Sequence, residues 1–137
     1  MHLLRNSHLL ALFLFLGSFN PIFAQVREQV RIQRVKDGDT VELSDARVLR
    51  LANINSPEKE SPLYKKSLEY LAGFAGKRIE VESLGIDSTG KRLVSRIYSS
   101  TNYINLALVR EGYASKFLVQ KGEEKIFAEA ERDAINH

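Results

Sequence analysis

The sequence predicts an α+β domain in which five short antiparallel strands curl into a small β-barrel and three helices pack around it. Three observations carry this. Apolar and polar residues alternate with period two in short runs separated by Gly, Asp and Ser turns. One helical pattern interrupts the strands after the third of them, and two more follow the fifth. The chain of 137 residues holds no cysteine, so burial alone must stabilise the domain, and its length suffices for one compact core but not for two.

Residues 1–24 read as a leader. Arg5 supplies positive charge, residues 9–16 form an unbroken apolar run, Gly17, Ser18, Asn20 and Pro21 break it, and Ala24 offers a small residue for cleavage before Gln25. That run is too short to span a bilayer as a helix, which takes about 20 apolar residues. Export is the expectation, with residues 25–137 as the mature domain and no membrane attachment once the leader is removed.

Within the mature domain, residues 26–35 alternate, with Val26, Val30 and Ile32 on one pattern and Arg34 continuing it. Asp37-Gly38-Asp39 turns the chain into a second strand over 40–43, and Ser44-Asp45 turns it into a third over 47–51. Strands joined by such short turns make a meander. Asn55-Ser56-Pro57 ends the third strand, because a residue before proline is pushed away from the helical region.

Ser61-Pro62 reads as an N-cap followed by proline in the first helical turn. Leu68, Leu71, Ala72 and Ala75 give that helix an apolar stripe, and Gly76 closes it. The helix is expected to plug one end of the barrel. Residues 77–82 and 93–98 are the fourth and fifth strands, with the turn between them spanning Gly85 to Gly90. A short helix around Leu106, Leu108 and Val109 stops at Gly112, and a last helix over 123–135 turns Ile126, Phe127 and Ala130 inward.

Composition narrows the chemistry further. The three histidines are His2, His8 and His137, two of them in the leader. Together with the absence of cysteine, this excludes a Ser-His-Asp set, a histidine general base, a thiolate nucleophile and a zinc site built on Cys or several His. That leaves carboxylates, guanidinium or ammonium groups and hydroxyls for any catalysis, with room for a hard metal ion. Twenty basic residues against 17 acidic ones, a formal charge of +3, suit a polyanionic partner and equally suit ordinary solubility.

Four blocks of sequence then converge on one family. Asp37-Gly38-Asp39-Thr40-Val41, the run from Arg50 to Glu58, the stretch from Asp87 through the strand ending at Tyr98, and the run from Asn105 to Ala114 resemble the staphylococcal nuclease-like (thermonuclease) domain, in its order and near its spacing. The resemblance implies a five-stranded OB-type barrel with three helices. It implies a Ca²⁺-dependent nuclease that cleaves DNA and RNA with little sequence preference, by water attack on phosphorus with loss of the 5′ oxygen. Nucleic acid is the implied partner, and a monomer is expected.

Residue by residue, the resemblance makes Arg50 a ligand of the scissile phosphate and Glu58 the general base. It makes Asp39, Asn55 and the Ser56 carbonyl the metal ligands, an all-oxygen set that suits Ca²⁺. Asn55 departs from the family, whose position is usually aspartate, so weaker metal binding is expected. The second phosphate clamp has two candidates. Counting from Gly90 selects Lys91, and counting back along the strand from Tyr98 selects Arg92. Strand register favours Arg92, since a turn tolerates an inserted residue more readily than a strand does. Tyr113 and Phe117 are candidate base-stacking residues, although the tyrosine pair often used for this is absent. Asn55 and the inserted residue also keep open a second reading, a catalytically silent OB-type module that binds nucleic acid or protein, and a third, an envelope-associated protein without a nucleic-acid ligand.

Overall fold

A computed structural model of the chain describes residues 26–137, and the leader expected over 1–24 lies outside them. The element order is β1 (Glu28–Asp37), β2 (Thr40–Leu43), β3 (Val48–Leu51), β4 (Ile54–Asn55), α1 (Pro62–Ala72), β5 (Arg78–Ile86), β6 (Leu93–Ser99), β7 (Asn102–Tyr103), α2 (Ile104–Arg110), β8 (Ser115–Lys116) and α3 (Glu124–Ile135). β1 pairs antiparallel with β2 and with β5, β2 with β3, and β5 with β6. β3 then pairs with β6 and closes a five-stranded barrel.

The closing pair is parallel, with Leu49 opposite Leu93, Arg50 opposite Val94 and Leu51 opposite Ser95. This corrects the expectation of a wholly antiparallel barrel, and the reason is parity. Strand directions cannot alternate all the way round a ring with an odd number of members, so one neighbouring pair must run the same way. Three short strands were also not foreseen. β4 and β8 form a separate two-stranded ladder, and β7 lies along β6.

The core draws on the five barrel strands and all three helices. Ile32, Val41, Leu43, Leu49, Leu51, Ile79, Val81 and Ile97 come from the barrel strands, Leu71 from α1, Leu108 and Val109 from α2, and Phe127 and Ala130 from α3. The expected stripe on α1 is displaced. The helix ends at Ala72 with Gly73 as C-cap, Ala72 and Ala75 are exposed, and its buried residues are Ser67 and Leu71. On α3, Phe127 and Ala130 are buried as expected, whereas Ile126 is largely exposed.

Two asparagines pin the helices and loops to the barrel. Asn105, wholly buried, donates from Nδ2 to the carbonyls of Ala52 and Ser95 at 2.9 and 3.0 Å and accepts from the Ile97 amide at 3.0 Å, so α2 is stitched across the β3–β6 seam. Asn53 sits in the left-handed region at φ 72°, which asparagine tolerates better than most residues. Its Oδ1 accepts from the Gln120 amide at 2.7 Å, and its Nδ2 donates to Tyr103 and Glu123. Glu123 in turn receives Arg96, which also holds Glu82. Among the described residues no buried side-chain polar atom lacks a partner.

Candidate functional site

The site starts at the turn between β1 and β2. Asp37 Oδ1 accepts from the Gly38 amide at 2.8 Å, closing the turn on itself. Ser67 of α1 donates to the Gly38 carbonyl at 3.0 Å. A Cβ at position 38 would lie 2.3 Å from Ser67 Oγ and 2.7 Å from the Ser56 Cβ, so only glycine lets α1 and the 55–57 segment close on this turn. Asp39 is thereby fixed and nearly buried. Its Oδ1 accepts from Thr40 at 2.8 Å and its Oδ2 accepts from the Ser56 amide at 2.9 Å.

Arg50 enters from β3, directly opposite Thr40. Its Nη1 donates to the Leu51 carbonyl at 2.6 Å and its Nη2 to Asn55 Oδ1 at 2.5 Å, while Nη2 also lies 3.3 Å from Asp39 Oδ2. Burial lowers the guanidinium pKa below its ordinary value, the Asp39 charge opposes that fall, and the positive charge of Arg92 adds to it. The group remains a cation, as arginine does in proteins. Asn55 is held in place by β4, where it pairs with Ser115.

Both candidates for a second cation lie in the bend just before β6, whose first residue, Leu93, pairs with Leu49 beside Arg50. Arg92 lines, with Arg50, Phe117, Leu118 and Gln120, a mainly apolar cavity of about 410 Å³. Its Nε donates to Asp87 Oδ2 at 2.6 Å. Asp87 is held well below the usual carboxylate range, first by the Thr89 hydroxyl and then by Arg92. Lys91 lines a separate groove that it shares with Arg92 and Lys36.

Asp37, Asp39, Asn55, Ser56, Glu58 and Tyr64 line a third, open cavity of about 590 Å³. Desolvation raises the Tyr64 phenol, and the neighbouring Asp37 carboxylate raises it further. The structure therefore gathers Asp39, Arg50, Asn55, Ser56, Glu58 and Arg92 around one end of the barrel, with Phe117 beside them. Tyr113 stands apart, packed against the core and edge-on to Tyr70 at 6.0 Å. Sequence reasoning missed Asp37, which lines two of these cavities, and Ser67. Asp37 was legible in the Asp-Gly-Asp repeat, whereas nothing in the sequence marks Ser67, a polar residue on a buried helix face.

Asp39, Asn55 and the Ser56 carbonyl offer a donor set for a hard cation. Its atoms are oxygens of a carboxylate, an amide and a backbone carbonyl, with the acids Asp37 and Glu58 in the same cavity, and such a set fits Ca²⁺. Among the described residues no group of three acidic, His or Cys ligands forms, so most of the shell would come from neutral oxygens and water.

Residues 48–137 match the family described as staphylococcal nuclease homologue. The chain belongs to the staphylococcal nuclease family. Membership makes it a phosphodiester-hydrolysing nuclease, and its closed five-stranded barrel with three helices agrees with that assignment. Two proteins named uncharacterized endonuclease, from Escherichia coli O157:H7 and from Escherichia coli, are each 33% identical to it over 108 residues. Each alignment covers 75% of this chain and 69% of the relative. Arg50, Asn55, Glu58 and Arg92 fall inside the stretch matched to the nuclease family, whereas Asp37-Gly38-Asp39 precedes it.

Proposed function

We propose that this nuclease is an exported, monomeric, Ca²⁺-dependent enzyme that cleaves DNA and RNA with little sequence preference. The observation that carries the reading is the pairing of two guanidinium groups, Arg50 and Arg92, beside a cavity lined by Asp37, Asp39 and Glu58. The extra negative charge of a pentacoordinate phosphorus needs cationic partners, and two forks supply bidentate bonds that strengthen as that charge develops. Glu58 takes the proton of the attacking water. A bond forms between the water oxygen and phosphorus, the bond to the 5′ oxygen breaks, and that oxygen takes a proton from solvent, so that a 3′-phosphate and a 5′-hydroxyl remain.

Asp39, Asn55 and the Ser56 carbonyl would hold calcium. When bound, the ion supplies positive charge beside the phosphate. Phe117, exposed and lining the cavity that Arg50 and Arg92 also line, gives a base or sugar an apolar seat. Contacts directed at phosphates rather than base edges account for the weak sequence preference. Export rests on the leader-like composition of residues 1–24.

Release of acid-soluble fragments from denatured DNA, with calcium or with chelator, tests the reading. Activity is expected with calcium alone, and Arg50→Ala and Glu58→Ala are expected to abolish it. Arg92→Ala is expected to lower kcat about 10²-fold or more, in line with the loss of one transition-state charge partner, and Lys91→Ala far less. The reverse order would return the clamp to Lys91. Salt-dependent binding without cleavage would select the silent module instead.

A further inference from the structure

We infer that the groove shared by Lys36, Lys91 and Arg92 is a track for the phosphates of the strand flanking the cleaved bond. The inference rests on the nuclease reading and adds to it a second contact region. The groove measures about 660 Å³ and is lined by Lys36, Asp37, Thr40, Thr89, Lys91 and Arg92, with Val48 at its floor, so three cations face one acid. The neighbouring cavity has the opposite sign, with Asp37, Asp39, Glu58 and Glu60 against Lys59. Asp37 borders both, and Arg92 borders both the groove and the cavity of Arg50. A polyanion with one phosphate between Arg50 and Arg92 is attracted along the groove, whose cations outnumber its acid, whereas the other cavity presents its acids to the cleaved bond.

Both lysines are available. Lys36, the penultimate residue of β1, is 3.8 Å from Glu42, whose carboxylate Arg34 already holds at 3.0 Å, and a surface pair this loose yields readily to a phosphate. Lys91 is exposed and forms no ion pair among the described residues. Its loop is nonetheless ordered. Asp87 accepts from the Thr89 hydroxyl at 2.6 Å and from the backbone amide of Arg92 at 3.3 Å, and Thr89 accepts from the Lys91 amide at 3.3 Å. An ammonium group is a compact point charge that accepts a phosphate from many directions, as a flanking strand requires. Among the described residues no aromatic side chain lines the groove, so it reads backbone and not bases.

The test compares a dinucleotide with a single-stranded oligonucleotide of about 20 nucleotides, longer than the roughly 4–16 that one OB-type fold covers. Cleavage and binding are measured across a salt series for the full chain and for Lys36→Ala and Lys91→Ala. Each substitution is expected to reduce the slope of log affinity against log salt by about 0.7, the value per phosphate contact on single strands. Each is also expected to lower several-fold the preference for the oligonucleotide over the dinucleotide. An unchanged slope, or equal losses on both substrates, would overturn the track. If the unsubstituted protein cleaves neither substrate with calcium, the nuclease reading fails, and the binding slope still decides whether the lysines contact the strand.

Discussion

Asn55 concentrates the unusual chemistry of this site in one atom pair. Its Oδ1 accepts from Arg50 and its amide carries no charge, so Asp39 alone among the three ligands named for calcium brings a carboxylate. Asn55→Asp adds a second negative oxygen at the same place. Calorimetric titration is expected to show tighter Ca²⁺ binding for this variant, and unchanged affinity would remove Asn55 from the ligand set. Gly38 sets a different kind of limit. A methyl group there meets Ser67 Oγ at 2.3 Å, and both neighbours belong to packed segments. Gly38→Ala is expected to cost about 1–3 kcal/mol, the usual penalty for overpacking. Thermal denaturation measures that cost, and a melting temperature equal to that of the unsubstituted protein would show that α1 gives way.

At the scale of elements, the loop between β8 and α3 is tied to the barrel by charge. Burial pushes the Glu123 carboxyl up, but bonds from Arg96, Tyr103 and Asn53 outweigh it and hold the group below its ordinary value of 4.5. A lowered carboxylate stabilises the fold above that ordinary value and loses its contribution as pH falls through the folded value. Stability is therefore expected to be level near neutrality and to decline below about pH 4.5. Glu123→Gln is expected to destabilise at pH 7 by about 1–3 kcal/mol and to flatten the acid limb. Melting curves at several pH values test both effects, and an unaltered acid limb would show that other carboxylates govern it. Elements were read from sequence with uneven success. The five barrel strands and the three helices were legible because alternation and Ser61-Pro62 are local signals, whereas β4, β7 and β8 exist only through pairing. The face of α1 was not, because Ser67 is buried only through its bond to Gly38 and looks polar to any periodicity count.

For the whole molecule, closure of the barrel is the decisive event. It brings β3 beside β6, and Arg92, just before β6, lines one cavity with Arg50. Asn105 spans that seam with three buried bonds. Asn105→Leu keeps the volume but removes the side-chain partner of the Ile97 amide and of the Ala52 carbonyl, each costing about 1–3 kcal/mol, while the Ser95 carbonyl keeps the Ala52 amide. Urea denaturation is expected to register a loss of at least about 2 kcal/mol. A loss below 1 kcal/mol would mean that water or a shifted α2 replaces the amide.

The sequence by itself determined the α+β class, the succession of strands and helices, and the chemistry from which a site could be built. Those features depend on local propensity and on which side chains exist at all. Absence of cysteine is a statement about composition that no fold can reverse. Only the tertiary structure decided which cation stands beside Arg50, that Tyr113 packs into an aromatic cluster, and that Lys36 shares a groove with Lys91. Those relations join residues far apart in the chain, and pairing register and barrel closure create them.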